Sequence, residues 1–263
     1  MQDDIKKVTD VVNVSFLDGM TARDDEVNRM LRERTIDRRR KNFKYAGFGE
    51  HYNDVNTQMW RNPIYSKIWT EYVNFINIIK SGKVRNAVFT GTVGTGKTAF
   101  MAYMAKSILM LDLPESWSEY SKVYAKENNI ELRDIDVRYA TSDMICQQLY
   151  KSSGYSPVVT KNKIIREFCE PDVLFIDEIG RSTTNKEAEF LFDVIDSRYR
   201  SGHKCTVICS NMDIKKLVAF MGDASFNRLV DKNALSVFDF NGLPCKRTET
   251  ASPELMAFLH GVA

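Results

Sequence analysis

Two clusters of residues in the 263-residue chain have the types and the order that phosphate chemistry requires. Gly91-Thr92-Val93-Gly94-Thr95-Gly96-Lys97-Thr98 satisfies the pattern G-x-x-x-x-G-K-[ST] at every specified position. The glycines let the main chain turn tightly, so that successive N–H groups converge on an anion. Lys97 adds a point charge for the β- and γ-phosphates of ATP, and the Thr98 hydroxyl is a ligand for Mg²⁺. The segment follows an apolar run, Asn86–Thr90, and opens a helical one, which points the positive end of a helix dipole at the same anion.

The second cluster, Leu174-Phe-Ile-Asp177-Glu178, ends an apolar run in an acid pair about eighty residues after Lys97. Asp177 is expected beside the metal, and Glu178 near the γ-phosphate, where it polarises the attacking water. An adjacent Asp-Glu favours hydrolysis or motor work over a small-molecule kinase. Asn185-Lys186-Glu187-Ala188 lacks the final Asp of the guanine-reading N-K-x-D, and no L-S-G-G-Q stretch of an ABC transporter occurs.

Positioning these clusters requires alternating strands and helices. Short apolar strands are expected at Asn86–Thr90, Val137–Ala140, Asp172–Asp177, Cys205–Ser210 and Ser236–Phe240. Helices are expected from Thr98 to about Met110, from Asp143 to about Lys151, and from about Asn185 to Arg200. Apolar character that continues along a strand marks a buried parallel sheet. The fold class is therefore α/β: a P-loop NTPase with a five-stranded parallel sheet and flanking helices, plus a small helical N-terminal extension. Ahead of the sheet, Ile68, Tyr72, Phe75, Ile76 and Ile79 form a helical stripe that stops at Ser81-Gly82. Residues 1–45 are charge-rich, with apolar residues at helical spacing (Ile5, Val8, Val12; Val27, Met30, Leu31), and close on Arg38-Arg39-Arg40-Lys41. That run is either a phosphate-contacting patch or a solvated helix end. The expected division is a helical extension at 1–45, an ATPase domain at 46–245 and a tail at 246–263.

Composition narrows the class further. With 43% hydrophobic and 27% charged residues the chain has the make-up of a globular protein. A net charge of +2 leaves any nucleic-acid contact to local patches. No apolar h-region follows Met1 and no run approaches a membrane span, so a cytoplasmic location and no membrane partner are expected. Of the five cysteines, Cys205 and Cys209 share one strand with backbones roughly 13 Å apart, too far for one zinc at ~2.3 Å Zn–S bonds. All five are read as reduced, mostly packed thiols.

Phe175-Ile-Asp-Glu-Ile-Gly180, Cys209-Ser-Asn211-Met212 and Phe226-Asn-Arg228-Leu229, in this order, resemble the DnaC/IstB-like AAA+ ATPases, with the bacterial and phage replicative helicase loaders as the nearest likeness. The resemblance spans about residues 38–240. It implies that Asn211 is a polar sensor of the γ-phosphate; an amide at a central strand's carboxyl end also lies where α/β ligands bind. It implies that Arg228 is an arginine finger serving a neighbouring subunit's ATP, so that the ATPase domain self-associates. A second sensor matches poorly, with Lys246 or Arg247 as candidates. The resemblance further implies a replicative DNA helicase as partner of the N-terminal extension, and single-stranded DNA at a helical element after the second strand. Tyr155, Lys161 and Lys163, within the aromatic and basic stretch from Tyr150 to Arg166, are the candidate DNA contacts. The reading is an AAA+ ATPase that loads a replicative helicase. An IstB-like transposition helper and a nucleotide-switched binding module with little turnover are the alternatives. No role is assigned to the segment from about Leu111 to Ile135.

Overall fold

The computed structural model describes residues 22–81, 83–111, 135–152, 160–182, 184–202, 204–230 and 235–246. The expectations for residues 1–21 and 112–134, for Tyr155, and for the tail from Arg247 onward lie outside the described residues. The elements in chain order are α1 (Ala22–Tyr45), α2 (Ser66–Lys80), β1 (Ala87–Thr90), α3 (Lys97–Met110), β2 (Val137–Thr141), α4 (Ser142–Lys151), α5 (Lys161–Cys169), β3 (Val173–Ile179), α6 (Asn185–Ser201), β4 (Cys205–Ser210), α7 (Ile214–Val230) and β5 (Ser236–Asp239). Three 3₁₀ turns, Glu50–Tyr52, Thr57–Trp60 and Pro63–Tyr65, join α1 to α2.

All five expected strands form one parallel sheet in the order β2-β3-β4-β1-β5. Every residue of β1 and β4 is buried, as is every residue of β3 except Glu178. These continuous apolar runs arise because helices cover both faces. Alternation along each strand then divides the core in two. Ala87, Phe89, Val173, Phe175 and Val207 pack with α2, α3 and the 43–65 segment. Val88, Leu174, Ile176 and Ile208 pack with α4, α5, α6 and α7. The stripe on α2 buries Ile68, Tyr72, Phe75, Ile76 and Ile79.

α7 adds to the expected helices, and α5 begins within the stretch Tyr150–Arg166 where the resemblance implies a helical element. α5 begins at Thr160, whose side chain accepts the Lys163 amide, and inserts Ile164 and Phe168 into the core. α7 is broken at Gly222, which carries non-helical torsions. At the amino end, α1 stops at Tyr45, and its last turn together with Ala46 enters the core through Phe43 and Ala46. Cys205 and Cys209 are buried on β4, and Cys146 and Cys169 lie on α4 and α5. Among the described residues, no helix is long and apolar enough to cross a membrane.

A buried cation joins the elements at the end of the sheet where the strands begin. Arg198 of α6 is 1% exposed. It donates to the carbonyl oxygens of Phe168 (2.8 Å), Pro171 (2.9 Å) and Cys205 (2.6 Å) and to the Thr206 hydroxyl (2.9 Å). Burial pulls its ordinarily very high pKa down to about 10, so it remains charged at neutral pH. Arg198→Met would leave these carbonyls without donors. Unfolding free energy should fall by about 3 kcal/mol, read by urea denaturation; a loss within experimental scatter would contradict the role given to this network.

Candidate functional site: the carboxyl edge of the sheet

The strand order brings the expected chemistry to one edge. β4 lies between β1 and β3, so the loop after β1, the acid pair ending β3 and the turn after β4 are neighbours. The carboxyl edge of the strands is where open α/β sheets bind ligands.

The loop Gly91, Thr92, Val93, Gly94, Thr95, Gly96 turns with φ of 132°, 83° and 94° at its three glycines, a region side chains rarely adopt. At Gly91 space is limiting as well: an added Cβ would sit 2.6 Å from the Phe240 carbonyl carbon. α3 starts at Lys97, so its free N–H groups face the loop. Lys97 is 6% exposed, and its ammonium donates to the carbonyl oxygens of Gly91 (2.6 Å) and Thr92 (2.7 Å). The Lys246 amide closes on the Gly94 carbonyl (2.9 Å), and its ammonium lies 3.7 Å above the Trp60 ring. Of the two candidates for a second sensor, Lys246 thus packs against the loop.

Asp177 is 3% exposed and receives three donors. The Thr98 hydroxyl donates to Oδ2 at 2.7 Å, the Tyr139 phenol to the same oxygen at 3.1 Å, and the Glu178 amide to Oδ1 at 2.7 Å. A hydroxyl against a carboxylate is a hard-oxygen pair that fits Mg²⁺, which takes few protein ligands and leaves the remainder to water and phosphate. Burial, followed by the Asp177 charge, pushes the Tyr139 phenol far above its ordinary pKa, which keeps it a donor. The same two causes push up the Cys209 thiol on the adjoining strand.

Glu178 has a φ of 58°, the only positive value at a non-glycine among the described residues. A left-handed backbone costs a side chain about 1–2 kcal/mol, so the surroundings must hold it. Glu187, 1% exposed, does so by accepting the Gly180 amide (2.9 Å), the Ser182 hydroxyl (2.6 Å) and the Ser142 hydroxyl (2.7 Å). Ser142 also lies 3.1 Å from the Glu178 carbonyl oxygen. The Glu178 carboxylate itself is partly exposed and meets the Arg181 guanidinium at 2.7 Å. Asn211 follows Ser210, the residue in register with Ile179, and is exposed.

The remaining candidates lie elsewhere. Arg228 sits at the opposite end of the sheet: Leu229, its neighbour, accepts a hydrogen bond from Asn86 just ahead of β1. Its Nε is 2.9 Å from Asp196 Oδ1, and its guanidinium is 5.2 Å from the Tyr199 ring centre. With Val84, Asn86, Arg198 and Thr206 it lines a cavity of about 130 Å³. Lys161 is 2.6 Å from Asp193 and lies over the Phe190 ring, whereas Lys163 is exposed on the first turn of α5. Tyr139, Arg181, Ser142 and Glu187 were not anticipated as site residues. Only Glu187 carried a signal, its spacing three after the Thr184 helix cap.

Residues 129–233 match the family model described as IstB-like ATP binding protein. Curated relatives from several organisms carry the name "Replicative helicase loader DnaC". That of Buchnera aphidicola is 21% identical over 58% of this chain and 53% of its own length. That of Escherichia coli K12 is 22% identical over 59% and 54%. The chain thus spans about half the length of the curated relatives it matches. A crystal structure of the DnaC helicase loader superposes with a TM-score of 0.50 at 17% identity, covering 72% of this chain and 99% of that one, which is a likeness of fold. Together these comparisons make the chain similar to DnaC/IstB-like AAA+ proteins. Its fold is that of a P-loop AAA+ protein, and ATP is the ligand that such a fold supports.

The two halves of the site should separate on substitution. Lys97→Ala removes the cation expected to meet the phosphates and should weaken nucleotide binding itself. Glu178→Gln keeps the shape and the binding but should slow hydrolysis by a factor on the order of 10² or more. Parental turnover in Glu178→Gln, followed as released phosphate, would overturn the expectation that Glu178 polarises the attacking water.

Proposed function

We propose that this chain is a Mg²⁺-dependent AAA+ ATPase of the cytoplasm that loads a replicative DNA helicase onto single-stranded DNA. The observation that carries the reading is the meeting of a complete phosphate loop with Asp177 through the 2.7 Å Thr98 contact, with Glu178 beside it. The names of the curated relatives supply the task. In this reading Gly91–Lys97 hold the phosphates, Thr98 and Asp177 hold the metal, Glu178 orients water and Asn211 senses the γ-phosphate. Lys163 and the exposed Arg38 and Arg40 of α1 are the cations that support contact with a DNA backbone. A second reading, an IstB-like transposition helper, is favoured by the description of the matching family model.

A pull-down separates the two. Tagged chain with ATP should retain a replicative DNA helicase, and retention should survive nuclease treatment. Capture of a transposase with no helicase would overturn the first reading in favour of the second.

Arg228 tests self-association. From the far end of the sheet it serves another copy's nucleotide, not its own. Arg228→Ala should therefore bind nucleotide as the parent does and hydrolyse it poorly. Mixed with Lys97→Ala, also inactive, it should recover part of the ATPase activity, because some contacts pair an intact pocket with an intact guanidinium. No recovery under conditions where mixed assemblies demonstrably form would remove the finger assignment.

A further inference from the structure

Tyr139 stands between the metal carboxylate and the end of α1. Its hydroxyl shares Asp177 Oδ2 with Thr98. Strand register explains the reach: Thr141 of β2 is opposite Asp177 of β3, so Tyr139 is its diagonal neighbour, within range of a long side chain. The other surfaces of Tyr139 are occupied by the segment that follows α1. Its amide donates to the Ala46 carbonyl, and the Phe48 ring centre lies 4.4 Å from its own. Gly47, with φ +96°, approaches so closely that an added Cβ would stand 2.9 Å from the Tyr139 carbonyl oxygen.

The last turns of α1 and the segment after it are fastened to α3, the helix that begins at the phosphate loop. Arg39 donates to the Met110 carbonyl at 3.2 Å, and Lys106 donates to the Val55 carbonyl at 3.1 Å and lies 5.0 Å from the Phe43 ring centre. Phe48 also meets the Phe175 ring of β3, with centres 5.5 Å apart, so both suppliers of the hard-oxygen pair, α3 with Thr98 and β3 with Asp177, are touched by the end of α1 and the residues that follow it.

We propose that Tyr139 is a positioning residue for the metal carboxylate, and that through it the docked end of α1 sets the geometry of the Thr98–Asp177 pair. The inference rests on the reading of these two residues as Mg²⁺ ligands. Mg²⁺ demands near-ideal octahedral geometry, and partners that orient a ligating group commonly change metal affinity by about 10–100-fold. With Tyr139 in place, Asp177 Oδ2 has a second donor whose own position is fixed by Ala46 and Phe48. A partner that pulled α1 from its seat would then reach the metal site without touching nucleotide.

The test uses a fluorescent N-methylanthraniloyl ATP, titrated with the full chain in EDTA and at graded Mg²⁺. Tyr139→Phe keeps the ring against Phe48 and deletes only the hydroxyl. Its affinity in EDTA should be within about twofold of the parent, while half-saturating Mg²⁺ should rise on the order of tenfold. Gly47→Ala leaves the hydroxyl and disturbs its seat, and should shift Mg²⁺ demand in the same direction. An unchanged Mg²⁺ requirement in Tyr139→Phe would overturn the positioning role. A shift in Tyr139→Phe with parental behaviour in Gly47→Ala would overturn the link to α1. If the parent itself gains no affinity from Mg²⁺, the metal reading fails and the inference falls with it.

Discussion

The carboxylate of Asp177 has to stay in one orientation while buried near the end of β3. Three hydrogen bonds do this, from Thr98, Tyr139 and the Glu178 amide. Each comes from a different part of the chain: the first turn of α3, strand β2, and the next residue of β3. Removing water from a carboxylate costs several kcal/mol unless donors replace it, so the arrangement is as much a condition of folding as of chemistry. The loop, the sheet and the helix after it can meet only in the geometry that satisfies this group.

Glu178 is held by a different means. Its backbone is left-handed, an arrangement that glycine would adopt more readily, and the turn after it is fixed by the buried Glu187. Its side chain is thereby directed outward to Arg181 while Asp177, one residue earlier, faces inward to Thr98. Adjacent carboxylates thus occupy different surroundings, one sealed and one partly open to solvent, so the two groups differ in what they can reach.

Much of this was legible before any coordinates. The five strands follow from apolar runs, and the stripe on α2 from helical spacing, because burial on both faces or on one face leaves a direct trace in residue order. The glycine loop was legible because so few residue types tolerate its torsions. Tyr139 was not, since its relation to Asp177 depends on β2 lying beside β3, and strand order is not written in local sequence. Lys161 illustrates the same limit. As a basic residue in a polar stretch it is open to any anion, and only the packing of α5 on α6 reveals Asp193 beside it.

Arg228 and the phosphate loop lie at opposite ends of strands four to seven residues long, separated by roughly 13–23 Å at the usual rise. A contact that carried this guanidinium to a second copy's nucleotide would join two unlike surfaces. Such a contact has polarity: every added copy leaves one donor face and one acceptor face unfilled, as at the two ends of a thread. Nothing local to the contact then limits the number of copies. The rotation between neighbours alone decides whether the series closes on itself or advances as a spiral, and a spiral, unlike a ring, can be entered by a polymer from its side.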